Sequence, residues 1–353
     1  MERGASVMTG KHRTFGWSII GASQIARSWV GAAIRANPQA RLVSVMSRDR
    51  SRGEAFARAL GIAKVETALE AVLNDPTVDA LYVSTGNDRH AEVTLAAAAA
   101  GKHVLCEKPL GLTLEEAVGM AQACDRAGIV LATNHHMRAA ATHREIRRLV
   151  QSGAVGRPLA ARALYCEYLP PELQTWRTRD PRQGGVLYDL TVHNVDALRF
   201  ALGADPVEAM GMKASSLIGA GGVEDQAQSV LRFDSGLIAY LHEGYAFAHH
   251  ETALEVHGET GSIYGRGIMD EAPNGTVFLR RNKEMTEIPT EPVNLYEGTV
   301  AAFQAAIREG SRPAATGWDG VWSLAAALAI RESAETGRMV AVPDVSRIAA
   351  QAA

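Results

Sequence analysis

The sequence predicts two domains of different class: a doubly wound parallel α/β sheet, then an α+β domain with an open, mostly antiparallel sheet. Three observations predict it. At 353 residues the chain is long for one hydrophobic core. Between residues 15 and 135, short apolar runs alternate with helical patterns of about ten residues or more, as parallel strands joined by right-handed crossovers do. Beyond that stretch, apolar runs follow one another directly, separated by Gly-rich or Asp-Ser-Gly turns, as antiparallel strands do.

Taken in order, FGWSII reads as a buried strand, followed by a polar turn and the helix IARSWVGAAIRAN. ARLVSVMS is a second strand, and RSRGEAFARALGI a helix closed by Gly61. DALYVST and RHAEVTLAAAAAGK, HVLCEK and TLEEAVGMAQACDRAG, and finally IVLATNHH complete the alternation near residue 135. The helix ATHREIRRLVQSG then leads into the strand RPLAARALYCEY, and another helix spans roughly 186 to 201. VEAMGMKASS, DQAQSVLRF, GLIAYLHEGYAF, TALEVHGE and GSIYGR read as successive strands, and two helices near 295–309 and 317–336 close the chain. The expected division is a disordered leader at 1–14, a dinucleotide-binding domain at 15–135, a substrate and oligomerisation domain at 136–340 and a tail at 341–353. The last long helix is expected to pack back on the first domain.

Composition narrows the function classes. The chain is 47% hydrophobic and 21% charged with a net charge of −3, which favours neither nucleic acid nor an anionic membrane as a partner. Its three cysteines, Cys106, Cys124 and Cys166, show no metal-type spacing, and no metal site is expected. Sparse cysteine, and an N-terminus without the apolar core of a signal peptide, point to the cytoplasm.

The turn after the first strand, GASQIA, holds Gly21, Ser23 and Ala26 where a dinucleotide fingerprint has three glycines. Gly21 permits the tight turn, Ser23 is small enough for the backbone to approach a pyrophosphate, and Ala26 adds one methyl at the helix–strand contact. The turn therefore still suits a pyrophosphate resting on a helix N-terminus. The second strand ends in VMSRDRSR. Ser47 stands where an NAD site carries its ribose-binding acid, with Arg48, Arg50 and Arg52 following; a hydroxyl beside guanidiniums suits the 2′-phosphate of NADP. Asp49 is the competing feature.

Two further stretches carry chemistry. GKHVLCEKPL delivers Glu107 and Lys108 at the C-terminal end of a parallel strand, where open α/β sheets bind ligands. In GGVLYDLTVHNVDALRF, Asp189 and His193 are four residues apart on one helix face. His193 is the expected proton donor, Lys108 the electrostatic anchor and Asp189 the positioning carboxylate, with the order of Lys108 and His193 left open.

Together these stretches resemble the glucose-fructose oxidoreductase / inositol dehydrogenase / MocA family over about residues 15 to 340. The resemblance implies a Rossmann domain and a C-terminal sheet that often forms the oligomer interface, so the protein is expected as a monomer or a homo-oligomer through that sheet. It implies that Ala22, Ser23, Gln24 and Ile25 cradle the pyrophosphate, and that Ser47, Arg48 and Arg52 hold the 2′-phosphate. It places Thr85, Asn87, His90 and Asn134 along the cofactor edge, Glu107 and Lys108 beside the nicotinamide, and Trp176, Arg177 and Tyr296 across from it. The implied activity is NADPH-dependent reduction of a keto sugar, with NADP preferred over NAD. An NAD-dependent polyol or inositol dehydrogenase and a catalytically silent sugar or nucleotide sensor are the competing readings.

Overall fold

The computed structural model describes residues 13–272 and 274–351. Most of the expected leader lies outside the described residues.

The first sheet has six parallel strands: β1 (Phe15–Ile20), β2 (Ala40–Met46), β3 (Lys64–Glu66), β4 (Ala80–Val83), β5 (His103–Cys106) and β6 (Leu131–Thr133). Their order, β3-β2-β1-β4-β5-β6, reverses direction between β1 and β4, and that crevice is where doubly wound sheets take ligands. The strands are short and apolar because both faces are covered: every residue of β1 is buried. The crossovers are α1 (Gly31–Ala36, entered through a π-helical turn at Ala26–Val30), α2 (Arg50–Leu60), α3 (Leu69–Leu73), α4 (His90–Ala99) and α5 (Leu114–Arg126). Helix α2 ends at Gly61 in the left-handed conformation, as its sequence predicts.

The second sheet has nine strands in the order β14-β13-β12-β11-β7-β10-β9-β8-β15. Helix α6 (Ala141–Gln151) precedes β7 (Pro158–Cys166), and α7 (Val192–Leu202) precedes β8 (Pro206–Ala214), β9 (Gln226–Phe233), β10 (Ile238–Gly244), β11 (Ala253–Gly258), β12 (Ser262–Arg266), β13 (Thr276–Arg281) and β14 (Glu284–Ile288). Only β7 and β10 pair in parallel; their neighbours run antiparallel. Along β9, Ala227, Ser229, Leu231 and Phe233 are buried while Gln228, Val230 and Arg232 are exposed, so one face packs on helices and the other is open.

Helices α8 (Leu295–Glu309) and α9 (Gly317–Thr336) bind the halves together: α8 packs on α1, and α9 on both α5 and β8. Beneath them, Arg138 forms a bidentate pair with Asp196 at 2.7 and 2.8 Å and a second ion pair with Asp319 at 3.1 Å. These groups are buried and mutually satisfied, so removing one partner is more costly than the pair is stabilising. The segment expected as a tail contains β15 (Val340–Ala341), which pairs with β8, and α10 (Val345–Ala350).

Candidate active site

The C-terminal ends of β1, β2, β4, β5 and β6 converge on one edge. At β1, Gly21 has φ of +103°, and a Cβ there would lie 2.4 Å from the Ser84 carbonyl oxygen. Only glycine fits this close approach of two strand ends. Ser23 is the helix cap, its Oγ accepting from the Ala26 amide at 3.1 Å and lying 2.5 Å from Ser84 Oγ. Its hydroxyl is therefore committed within the turn, and what faces outward is the backbone of Ala22, Ser23, Gln24 and Ile25 at the helix start. Such a cradle, closed to any larger residue at Gly21, fits a pyrophosphate.

At β2, Ser47 is buried and donates to the Asp49 carbonyl at 2.8 Å. Asp49 caps α2, accepting from the Arg52 amide at 3.1 Å and Ser51 Oγ at 2.7 Å. The competing acid is thus occupied by the backbone. Arg52 Nε donates to the Ala22 carbonyl at 3.1 Å, which fixes its guanidinium beside the Gly21 turn, while Arg48 stays exposed.

At β4, Thr85 borders the edge and Asn87 donates across to the Gln183 carbonyl at 3.2 Å. His90 is fully buried: its Nδ1 donates to the Pro109 carbonyl at 2.8 Å, and its Nε2 has no partner among the described residues. Its ring holds the turn after Lys108 from behind.

At β5 and β6, Glu107 accepts from Tyr82 Oη and Asn134 Nδ2, both at 2.5 Å. Burial pushes its carboxyl above the usual range, against these two hydrogen bonds. Asn134 Oδ1 is buried without a partner among the described residues, an acceptor open to a ligand amide. Tyr296 is stacked between His136, 4.7 Å away, and Trp29, 5.5 Å away, and its buried hydroxyl likewise has no partner among the described residues. These orphaned groups, with the glycine turn, fit a nicotinamide cofactor lying along this edge.

Lys108 lies where the halves meet. Its Nζ donates to Asp189 Oδ1 at 2.5 Å and to the Asp189 carbonyl at 3.0 Å. The other carboxylate oxygen accepts from Tyr245 Oη at 2.8 Å and from Arg177 Nε at 3.2 Å. Burial alone would raise the Asp189 carboxyl; the charges of Lys108 and Arg177 outweigh it and hold the group well below the usual range. Arg177 also stacks on Trp176 at 4.7 Å. The short Gly184-Gly185 turn makes this reach possible: the Gly185 amide donates to the Arg177 carbonyl at 2.8 Å, and a Cβ on Gly184 would lie 2.6 Å from the Trp176 oxygen.

His193, one helical turn from Asp189, is buried against His136, His135 and Tyr165 at ring separations of 5.3, 5.9 and 5.8 Å. Burial, then the charge of Lys108, hold its pKa well below the usual value, so the imidazole is neutral at neutral pH. Asp196, the next acid on the same helix, is turned away and paired with Arg138.

Sequence reasoning missed Tyr245, which joins Lys108 and Arg177 as a third side-chain donor to Asp189, and Glu167. Burial, with Glu271 and Asp189 nearby, pushes Glu167 up to about 8. Neither lies in a spacing that marks it; both reach the cleft from strand ends of the second sheet.

The described residues contain no helix long and apolar enough to cross a membrane. Residues 15–135 match the family model described as an oxidoreductase family with an NAD-binding Rossmann fold, and residues 143–264 match the GFO/IDH/MocA C-terminal domain. The 1,5-anhydro-D-fructose reductase of Ensifer adhaerens is 50% identical over 323 residues, covering 91% of this chain and 97% of that protein. A myo-inositol 2-dehydrogenase of Thermotoga maritima is 29% identical over 81% of this chain and 86% of its own. Among solved structures, the aldose-aldose oxidoreductase of Caulobacter crescentus, complexed with glycerol, superposes with a TM-score of 0.86 at 25% identity, covering 93% of this chain and all of that one. With both halves matched and the convergent edge built as described, the chain belongs to the GFO/IDH/MocA family of NAD(P)-binding Rossmann oxidoreductases.

Proposed function

We propose that this protein reduces a keto sugar with NADPH, and that the sugar is 1,5-anhydro-D-fructose, giving 1,5-anhydro-D-mannitol. The observation that carries the reading is Lys108 clamped on Asp189 at the C-terminal end of β5, with neutral His193 one turn away. The high identity to an anhydrofructose reductase supports the choice of sugar.

NADPH would lie along the strand ends, held by the Gly21–Ile25 turn, by Ser47, Arg48 and Arg52, and by Thr85, Asn134 and Tyr296; when bound it supplies the hydride. Lys108 does the electrostatic work. Its ammonium, fixed by Asp189, meets the carbonyl oxygen and stabilises the charge that develops there. It also has a proton to give, so the alkoxide leaves as an alcohol. His193, uncharged in its apolar surroundings, offers an N–H to the same oxygen or a neighbouring hydroxyl and costs no buried charge. Asp189 is the positioning group: Arg177 and Tyr245 fix one oxygen while the other aims Lys108. Glu107 lies behind, orienting Asn134 toward the cofactor amide. Ser47 in the acid's place, Asp49 occupied as a cap and Arg52 anchored at Ala22 support the choice of NADP over NAD.

A second reading, an NAD-dependent inositol or polyol dehydrogenase, draws support from the inositol dehydrogenase relative. Steady-state kinetics with NADPH and NADH, on 1,5-anhydro-D-fructose in reduction and on myo-inositol in oxidation, separates the two. Turnover with the anhydro sugar and NADPH supports the first; turnover only with inositol and NAD overturns it.

A further inference from the structure

Strands β7 and β10 lie side by side at the middle of the second sheet, and successive residues alternate between its two faces. Tyr165, Glu243 and Tyr245 point to the helical face: Glu243 accepts from Asn194 of α7 at 2.8 Å, and Tyr245 reaches Asp189. Cys166 and His242 point the other way. The loop from β10 to β11 folds back over them, so that the His250 ring stands edge-on to His242 at 5.4 Å, with Phe247 5.2 Å from His242.

One donor atom from each of Cys166, His242 and His250 lies within 4.8 Å of the other two. All three are chemically available. His250 Nδ1 is 2.8 Å from the Glu251 carbonyl oxygen. A carbonyl only accepts, so the proton sits on Nδ1 and Nε2 keeps its lone pair, the arrangement a metal-binding imidazole uses. His242 Nε2 is buried with no partner among the described residues. The Cys166 thiol is buried, and its contact with the His242 carbonyl is a long 3.6 Å. Burial, with Glu243 and Glu167 nearby, pushes that thiol up to about 12. None of the three takes part in the reduction proposed above.

We propose that Cys166, His242 and His250 bind one borderline-soft divalent cation per chain, zinc(II) first among them, on the sheet face opposite the catalytic cleft. One thiolate and two imidazoles select zinc, cobalt or copper over magnesium or calcium, which take oxygen ligands. Zinc bond lengths would bring the donors to roughly 3.3–3.6 Å apart, so the loop closes by about 1 Å. The Cys166 proton leaves to solvent on binding, and a water completes the fourth position. The cation would staple β7, β10 and the loop that begins at Tyr245. Cys166 and His242 are 76 residues apart, which is why no spacing motif announces them.

The test uses the full chain, reduced, stripped with a chelator and titrated anaerobically with cobalt(II). The expected result is a thiolate-to-cobalt charge-transfer band that saturates at one equivalent and is displaced by zinc(II). Cys166→Ser should abolish it, and His250→Ala, in an exposed loop, should weaken binding about tenfold or more. Lys108→Ala, which disables the catalytic cleft, should leave the band intact. Absence of the band, a band that persists in Cys166→Ser, or saturation only at millimolar metal would each overturn the proposal. Should Cys166→Ser fail to fold, unchanged cobalt affinity in His250→Ala would do so alone.

Discussion

The turn at Gly21 and the cleft around Lys108 are built on opposite plans. The turn is a backbone device: Gly21 leaves no room for a side chain, since a Cβ there would lie 2.4 Å from the Ser84 carbonyl oxygen, and Ser23 and Asp49 use their side chains to cap helices. The cleft is a side-chain device in which Lys108, Asp189, Arg177 and Tyr245 come from four separate stretches and satisfy one another. The difference teaches where each is vulnerable. The turn is closed to any side chain at Gly21, whereas in the cleft each charge holds another in place.

The largest effect expected falls on the cleft. Lys108→Ala should lower kcat/KM for the keto sugar by about 10²- to 10⁴-fold while NADPH affinity, by fluorescence titration, stays within about threefold. Equal losses in both would move Lys108 to cofactor binding and erase the contrast. In the turn, Gly21→Val should weaken NADPH binding about tenfold or more, because the new side chain meets the Ser84 backbone at an unfavourable φ. Isothermal titration reads this directly, and unchanged affinity would show that the turn does not carry the pyrophosphate.

Ser47→Asp should lower the NADPH-to-NADH ratio of kcat/KM by about 10- to 100-fold, by placing an acid where a 2′-phosphate would lie. A ratio that does not move removes Ser47 from the cofactor site. The smallest effect is on stability. Burial holds His135 and His143 near 4 and His136 near 3. These folded values lie below the unfolded one, so between about pH 6.5 and 4 the unfolded chain binds more protons and stability falls as pH falls, on the order of 1 kcal/mol or more per histidine. Glu167 and Glu243, raised to about 8, and Glu107, Glu224 and Glu271, also raised by burial, act in the opposite sense; His90, His103, His193 and His242, lowered by burial, join the three histidines and outnumber them. The Tm should therefore drop on acidification through this window, and His143→Leu should flatten the drop; a Tm that rises would contradict the burial of these rings.

Much of the fold was legible because its strands are buried on both faces or alternate cleanly, as β1 and β9 do. The elements that escaped notice had no such signal. β3 spans three residues, and β14 is exposed along most of its length, with no apolar alternation to mark it. The hairpin before it turns through Asn282 and Lys283, both at positive φ, where a glycine would have announced the turn. In the site, spacing pointed to Gly21, Lys108, Asp189 and His193, which sit on single elements. Tyr245 and Glu167 were invisible because only the packing of the second sheet brings them to Asp189. His90 was placed on the cofactor edge by resemblance, and no spacing foretells its hydrogen bond to the Pro109 carbonyl.

The most direct test is to incubate the protein with 1,5-anhydro-D-fructose and NADPH deuterated at the transferring position, and to identify the product by NMR. The account predicts NADPH loss matched one for one by 1,5-anhydro-D-mannitol carrying deuterium on the former carbonyl carbon. No NADPH loss with this sugar, together with reduction of NAD by inositol, would contradict it.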